Sequence, residues 1–296
     1  MNKKIMIVGL GDLGGWALEF LARSQSSFEI IAADINEKSG IEKVNNALFG
    51  AVQMGYDPKI SFVKIDLYDT DKTAEQLAEL RPDVIYNSTT LQSWWVITEL
   101  PKETFDKILE ARLGPWLPMH LTLTYKLMQA VKKSGIKTHV VNSSFPDATN
   151  CALGKVGLAP TIGIGNIDNI VPPIQKVVSD KLGVPINNVT LQMVCPHYIN
   201  FQVARWGNSG GAPYYLKIIV AGNDVTKDFS LDEVLAEIPK IAKRPAGRTG
   251  QSLVAASAVK NILHIINDTG QVTHSPAPNG LPGGYPVRLS AAGAEV

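Results

Sequence analysis

Apolar and polar residues alternate along the first half of the chain in blocks that predict strands and helices in turn. The short apolar runs, which we predict as buried strands, are KIMIVGL, EIIAADI, ISFVKIDL, DVIYNSTT and THVVNSS. The stretches WALEFLARSQ, TAEQLAEL and LTLTYKLMQAVKKSG carry apolar residues at helical spacing. Strands that are apolar on both faces and alternate with helices predict a parallel sheet covered by helices on both sides.

The pattern changes after about residue 150. IVPPIQKVVSDKLGV is helical beyond its prolines, whereas NVTLQMVCPHYI and PYYLKIIVAG look like longer strands. SLDEVLAEIPKIAKR and SLVAASAVKNILHIIND again have helical spacing. We therefore predict a first α/β domain over residues 1–150 and an α+β domain over residues 151–296, with His197 in a buried strand of the second domain.

Composition excludes several classes of partner. The chain has 296 residues, 45% hydrophobic content and a net charge of +1, without any basic run that nucleic acid or an acidic membrane surface would require. The apolar stretches are too short or interrupted to span a bilayer. Two lysines precede the first apolar run, but that run enters a glycine turn without a signal-peptide cleavage site. Cys151 and Cys195 lie far apart without metal-ligand spacing, so we expect a cytoplasmic protein with no metal site.

The segment VGLGDLGGWALEFL has the spacing of a dinucleotide-binding turn. Gly9, Gly11 and Gly14 follow a predicted strand and open a predicted helix, whose free N–H groups and dipole would face a diphosphate. Asp34 ends the next strand, where a carboxylate accepts hydrogen bonds from a ribose 2′-hydroxyl and repels a 2′-phosphate. The turn and the acid predict a Rossmann-type domain that binds NAD rather than NADP. The alternative is a glycine turn needed only for strand–helix packing.

Motifs in the second half resemble the catalytic half of the NAD-dependent lactate/malate dehydrogenase family. GIGNID contains Asp168, KLGV occupies residues 181–184, CPHY contains His197, and ARW ends at Trp206. In the first half, NSSFPD at 142–147 is similar to a degraded N-P-V-D motif of the family. Arg112 in EARLGPW corresponds to the arginine of the family's mobile loop. The resemblance extends over essentially the whole chain through the order and spacing of these motifs.

The resemblance implies a proton relay. His197 would be the acid/base, Asp168 would orient its ring, and Arg112 would polarise the substrate carbonyl from a closing loop. Asn142 or Ser144 would contact the same oxygen or the nicotinamide ribose. Each residue also has a structural interpretation: a strand histidine is usually packed and satisfied, and Asp168 could be a helix N-cap. His120 fits a helix face, and we predict no catalytic role for it.

The chain departs from the family at the substrate site. The arginine that pairs with the substrate carboxylate is replaced by Val171, which cannot make such a contact. Either Arg205 or Arg112 binds the carboxylate from another direction, or the substrate has no carboxylate there. Gln251 is a further pocket candidate, and the Trp94–Trp95 pair suggests a larger substrate such as a sugar acid or polyol. Plain malate or lactate is therefore disfavoured.

These observations leave three functions in order of preference. The first is an NAD-dependent dehydrogenase acting on a hydroxy acid or related compound. The second is an NAD-using oxidoisomerase or elimination enzyme on a sugar-like substrate, and the third is an inactive NAD-binding protein. The family also implies a homodimer or homotetramer. The predicted cofactor contacts are Gly9, Gly11, Asp12, Leu13, Gly14, Asp34, Ile35, Ser88, Thr89 and Asn142.

Overall fold

The computed structural model describes residues 3–25, 27–111, 114–245 and 247–296. Its strands are β1 Lys3–Val8, β2 Phe28–Asp34, β3 Lys59–Lys64, β4 Val84–Asn87, β5 His139–Asn142, β6 Ile162–Gly163, β7 Val189–Val194, β8 Tyr215–Val220, β9 Asn223–Asp224, β10 Gln271–Pro276, β11 Gly284–Ser290 and β12 Gly293–Glu295. Its α-helices are α1 Asp12–Ala22, α2 Glu37–Gln53, α3 Thr70–Leu80, α4 Lys102–Glu110, α5 Leu117–Ser134, α6 Pro146–Gly154, α7 Ile167–Leu182, α8 His197–Trp206, α9 Leu231–Ile241 and α10 Gln251–Ile266.

Six parallel strands form the central sheet in the order β3-β2-β1-β4-β5-β6. This is the strand order of a doubly wound dinucleotide-binding domain, and it confirms the predicted fold class. Alternate residues of β1 enter different cores: Ile5 and Ile7 pack on one side of the sheet, and Met6 and Val8 on the other. Burial on both faces is why this strand appears as a continuous apolar run.

The rest of the chain forms an α+β unit with two antiparallel three-stranded sheets, β7-β8-β9 and β10-β11-β12. Helices α7, α8 and α9 and strands β7 and β8 enclose one apolar core. In contrast, α10 packs against α1 and contributes Ala255 and Ala258 to the core of the parallel sheet. That sheet also takes its last strand, β6, from beyond residue 150, and the division of the chain at residue 150 stays a prediction.

The strand predicted around His197 is wrong at its end. β7 stops at Val194, Cys195 makes one isolated bridge to Gly284, and α8 begins at His197. Pro196 explains the change, because proline has no N–H for a strand ladder and its extended backbone (φ −72°, ψ 157°) makes it the N-cap of α8. His197 is thereby placed in the first turn of a helix.

Two other helices differ from the apolar pattern. α2 was not predicted, since its buried side is a narrow stripe of small residues around Val44, Ala47 and Ala51. α7 begins before its prolines rather than after them and contains both Pro172 and Pro173. Its earlier start brings the whole segment that follows the GIGN turn into the helix.

Candidate active site

The glycine turn has the geometry that its spacing predicts. Gly9 has φ +90°, a conformation that side chains disfavour. A Cβ on Gly14 would lie 1.9 Å from the Gly9 carbonyl oxygen and 2.5 Å from Ser88 Oγ, so only glycine fits there. A Cβ on Gly11 would meet no atom within 4 Å. The first and third glycines are therefore required by the backbone, while the second leaves an open face at the start of α1.

The surroundings of this turn fit the diphosphate and ribose of a dinucleotide. Gly11 caps α1 without any side-chain hydrogen bond, which leaves first-turn N–H groups for an anion. The carboxylate of Asp34 accepts the N–H of Leu10 at 2.6 Å and that of Asn36 at 2.8 Å. Two such bonds leave it acceptor capacity for a ribose hydroxyl.

Other predicted cofactor residues surround the turn. Ser88 Oγ donates to the Gly9 carbonyl at 2.6 Å. Leu13 packs against the core of the sheet, whereas Ile35 is 57% exposed. Thr89 donates its N–H and its hydroxyl to Asn87 Oδ1 at 3.2 and 2.7 Å. Ser88, Leu13, Ile35 and Thr89 therefore all lie at the carboxyl edge of the sheet, where open α/β folds bind ligands.

The structure contradicts a direct ligand role for the Asn142 side chain. It is fully buried, and its amide donates to Thr149 Oγ1 at 2.9 Å and Asn150 Oδ1 at 2.8 Å. Its oxygen accepts from Asn87 Nδ2 at 2.9 Å and from the Ser144 N–H at 3.0 Å. The amide therefore has no capacity left for a cofactor or substrate. Asn142 instead ties the ends of β4 and β5 to α6.

Ser144 belongs to the same buried network. Ser144 is 4% exposed, and its hydroxyl donates to the Thr89 carbonyl. This contact joins the segment after β5 to the segment after β4. Thr89 itself lies beside the glycine turn, since its Cγ2 would be 2.9 Å from a Cβ on Gly9. Substrate binding by Ser144 stays a prediction.

His197 is paired with a carboxylate, but not with the predicted one. Its Nδ1 is 3.1 Å from Asp147 Oδ2. The Asp147 side chain is only 12% exposed, and the same oxygen accepts a hydrogen bond from Asn166 Nδ2. Asp147 follows Phe145, which has φ +51°, and Pro146 at the start of α6, and Phe145 meets the His197 ring edge-on at 6.0 Å. The turn after β5 thus directs Asp147 onto the first turn of α8.

The predicted contact between Asp168 and His197 is wrong. Asp168 lies in the first turn of α7, is 5% exposed, and accepts Lys260 Nζ on its two oxygens at 2.6 and 2.8 Å. Ser257 Oγ donates to it at 2.6 Å and accepts the Gly165 N–H at 3.2 Å. Both partners are on α10. The carboxylate turns towards α10 because an ammonium group and a hydroxyl there satisfy its charge.

Asn166 contacts Asp147 and precedes Asp168 in the chain, and the sequence did not predict its role. It has φ 50° and ψ −108°, a sparsely populated conformation for a residue other than glycine. Its side chain contacts Asp147, and its carbonyl accepts the N–H of Asn169 at 3.0 Å. Asp147 is the last residue of the NSSFPD motif, but its position in the sequence does not predict its contact with His197.

The predicted substrate residues differ in burial and contacts. Val171 is 9% exposed and belongs to the apolar core of the second unit, and its place in the substrate pocket stays a prediction. Gln251 is 8% exposed at the start of α10, with Nε2 3.4 Å from the Gly247 carbonyl. Arg205 lies on the exposed side of α8 with its guanidinium 3.9 Å above the Phe201 ring. Arg112 lies outside the described residues.

His120 is buried in α5 beside this site. It is 6% exposed, both ring nitrogens lack a hydrogen-bond partner, and burial lowers its pKa to about 4. Its ring lies 5.7 Å from that of Phe145. The histidine is therefore neutral near pH 7, and Phe145 contacts both its ring and that of His197.

Within the ranges that the structure describes, no three His, Cys, Asp or Glu side chains converge in a way that could hold a metal ion. None of the helices in those ranges combines the length and apolar character needed to cross a bilayer.

Comparison with known structures identifies the class of fold. The lactate dehydrogenase of Eimeria maxima, crystallised with NADH and oxamate, matches with a TM-score of 0.69 at 14% identity, covering 100% of this chain and 86% of that one. The apo malate dehydrogenase of Picrophilus torridus matches at 0.65 and 20% identity, covering 100% and 89%. The Cryptosporidium parvum lactate dehydrogenase with lactic acid and NAD matches at 0.65 and 16%, covering 100% and 89%. The chain therefore has the lactate/malate dehydrogenase fold. No family model and no curated protein sequence matches it.

Proposed function

We propose that the protein is an NAD-dependent oxidoreductase that transfers hydride between NAD and a hydroxy acid or related hydroxylated compound. The observation that carries the proposal is the pair of His197 and the shielded carboxylate of Asp147, 3.1 Å apart. The fold supports it, because two of the similar structures hold NADH with oxamate or NAD with lactic acid. The function is that of the fold class, with a different acid beside the histidine.

The chemistry assigned to His197 follows from its tautomer. An ionised Asp147 can only accept, so the His197 Nδ1 carries the proton and Nε2 presents a lone pair. Nε2 takes the hydroxyl proton of the substrate as hydride leaves its carbon, and Asp147 stabilises the imidazolium that forms. NAD, when bound, supplies the hydride acceptor. In the reverse direction the imidazolium returns the proton to the carbonyl oxygen.

The cofactor preference rests on Asp34. Its carboxylate stands beside the glycine turn through its bond to the Leu10 N–H. A ribose 2′-hydroxyl can donate to this carboxylate, whereas a 2′-phosphate would meet its negative charge. NAD is therefore the proposed cofactor, with its diphosphate over the open face at Gly11.

The substrate carboxylate is assigned to Arg205 on the helix that His197 begins. His197, Phe201 and Arg205 are spaced four residues apart and so share one side of α8. Arg205 makes no ion pair with the described residues, and partial burial lowers the pKa of its guanidinium. Stacking on Phe201 holds this cation in place. Arg112 remains the proposed arginine of the closing loop.

We also propose that the protein is a homodimer or homotetramer. The exposed side of α2 carries Ile41, Phe49 and Val52, which are 42%, 61% and 55% exposed. Trp16 on the neighbouring α1 is 45% exposed. A helix with such an apolar outer side is suited to contact with a second copy.

A coupled screen tests the proposed function. Hydroxy acids, sugar acids and polyols are incubated with NAD, and NADH absorbance is followed for the wild type, His197→Asn and a control, His139→Asn. His139 is the matched control because it begins β5 at the opposite edge of the sheet. We expect steady NADH formation with at least one compound and a loss of about a thousandfold in His197→Asn only.

The alternatives give other results in the same screen. An oxidoisomerase or elimination enzyme would convert a sugar acid with no net NADH, and an inactive binding protein would convert nothing. Full turnover by His197→Asn would contradict the role of the histidine.

A further inference from the structure

An arginine that the sequence did not single out stands next to the glycine turn. Arg248 lies in the 3-10 turn Gly247–Gly250 that directly precedes α10. Its Nε is 3.1 Å from Oδ2 of Asp12, the first residue of α1. The contact joins two segments more than 230 residues apart in the sequence, and it lies at the N-terminus of α1, where the proposed diphosphate would bind.

The position of Asp12 creates a problem of charge. The N-terminus of α1 attracts negative charge through its dipole and free N–H groups. A side chain that is already anionic at that place, with 33% exposure, would repel a doubly charged diphosphate. Arg248 offsets this repulsion, since its cation is held against the Asp12 carboxylate.

The Arg248 guanidinium also has terminal N–H groups that could donate to a phosphate. The side chain of Arg248 remains 71% exposed although Nε is engaged, which leaves its terminal N–H groups towards solvent. A planar guanidinium fork matches two phosphate oxygens. The open face at Gly11, next to Asp12, provides the space in which those oxygens would lie.

The helix that follows Arg248 packs against the helix that follows the glycine turn. α10 begins directly after it, and its Ala255 and Ala258 lie in the same apolar core as Ala17 and Leu18 of α1. The helix that carries the anion site and the helix that follows the arginine are thus packed together.

We propose that Arg248 binds the diphosphate of the dinucleotide, with Asp12 holding its guanidinium in place. The proposal rests on the proposed function only in requiring that a dinucleotide binds at the glycine turn. It makes the segment before α10 a part of the cofactor site.

Fluorescence titration of the full chain with NADH tests this assignment without any turnover. We expect Arg248→Gln to raise the Kd for NADH by about five- to twentyfold at low salt, and the difference to shrink as salt increases. Arg81→Gln is the matched control, because it removes the same charge at a distant place. Arg81 follows α3 at the amino edge of the sheet, opposite the glycine turn. ADP-ribose should show the same loss as NADH, whereas adenosine, which has no phosphate, should bind both variants equally.

A double variant separates contact from neutralisation. If Arg248 touches the diphosphate, Arg248→Gln still weakens binding in an Asp12→Asn background. Equal Kd values for Asp12→Asn and the double variant would overturn the contact, as would equal Kd values for Arg248→Gln and Arg81→Gln. Failure of the wild type to bind NADH or ADP-ribose would instead overturn the proposed function itself.

Discussion

Asp168→Asn should lower stability and leave the chemistry nearly intact. The substitution keeps the shape of the side chain but removes the charge that Lys260 Nζ contacts at 2.6 and 2.8 Å. Removing one partner of a fully buried ion pair costs about 3–5 kcal/mol. The Lys260 side chain is 41% exposed and can turn its ammonium group to solvent, and Ser257 can still donate to an amide oxygen. We therefore expect a cost of about 2–3 kcal/mol in the free energy of unfolding.

Urea unfolding followed by circular dichroism measures this cost as a lower midpoint at an unchanged m-value. Asp147→Asn is the comparison, because the Asp147 carboxylate contacts a ring nitrogen of His197 and the amide of Asn166 instead of an ammonium group. We expect it to cost about 1 kcal/mol. A loss below about 0.5 kcal/mol for Asp168→Asn, together with lost turnover, would refute the reasoning and return Asp168 to the chemistry.

Three further predictions follow from single positions. Gly11→Ala should retain the wild-type Tm, since its Cβ meets only open space, but should bind NADH at least about tenfold more weakly because the diphosphate would occupy that space. Gly14→Ala should unfold at lower temperature, because its Cβ would meet the Gly9 oxygen at 1.9 Å. Asp34→Ser should raise the ratio of NADPH to NADH affinity by about tenfold or more, measured by titration. Burial lowers the pKa of His120 from 6.5 to about 4, so the unfolded chain binds its proton first and stability falls as pH drops from 6.5 to 4. His120→Leu should remove up to about 3 kcal/mol of that loss in urea unfolding at both pH values, and an unchanged acid sensitivity would contradict it.

The fold could be predicted because its signals are local. β1 is apolar on both faces, and the glycine turn directly follows it, so neighbouring residues carry both the strand and the anion site. α2 was not predicted because most of its buried residues are small, such as Ala47 and Ala51, so the buried side of the helix differs little in hydrophobicity from the rest. The strand predicted at His197 was wrong for a local reason too, because Pro196 lacks the N–H of a strand ladder and becomes the N-cap of α8.

The candidate site was only partly predictable because its contacts are long-range. His197 was identified, but its partner depends on which of two acids the backbone directs towards it. The conformation of Asn166 and the position of Lys260, 92 residues after Asp168, decide that choice. Spacing in a sequence contains neither piece of information. Similarly, the ion pair of Arg248 with Asp12 arises from the packing of α10 on α1.

The pairing of His197 with Asp147 is tested most directly by single-turnover hydride transfer. The NADH absorbance is followed after mixing NAD-loaded enzyme with the substrate found in the screen, for the wild type, Asp147→Asn and Asp168→Asn at a temperature where all are folded. We predict a rate about a thousandfold or more lower for Asp147→Asn, because His197 loses its orienting acceptor, and a change below about tenfold for Asp168→Asn. The opposite order of the two variants would contradict the account.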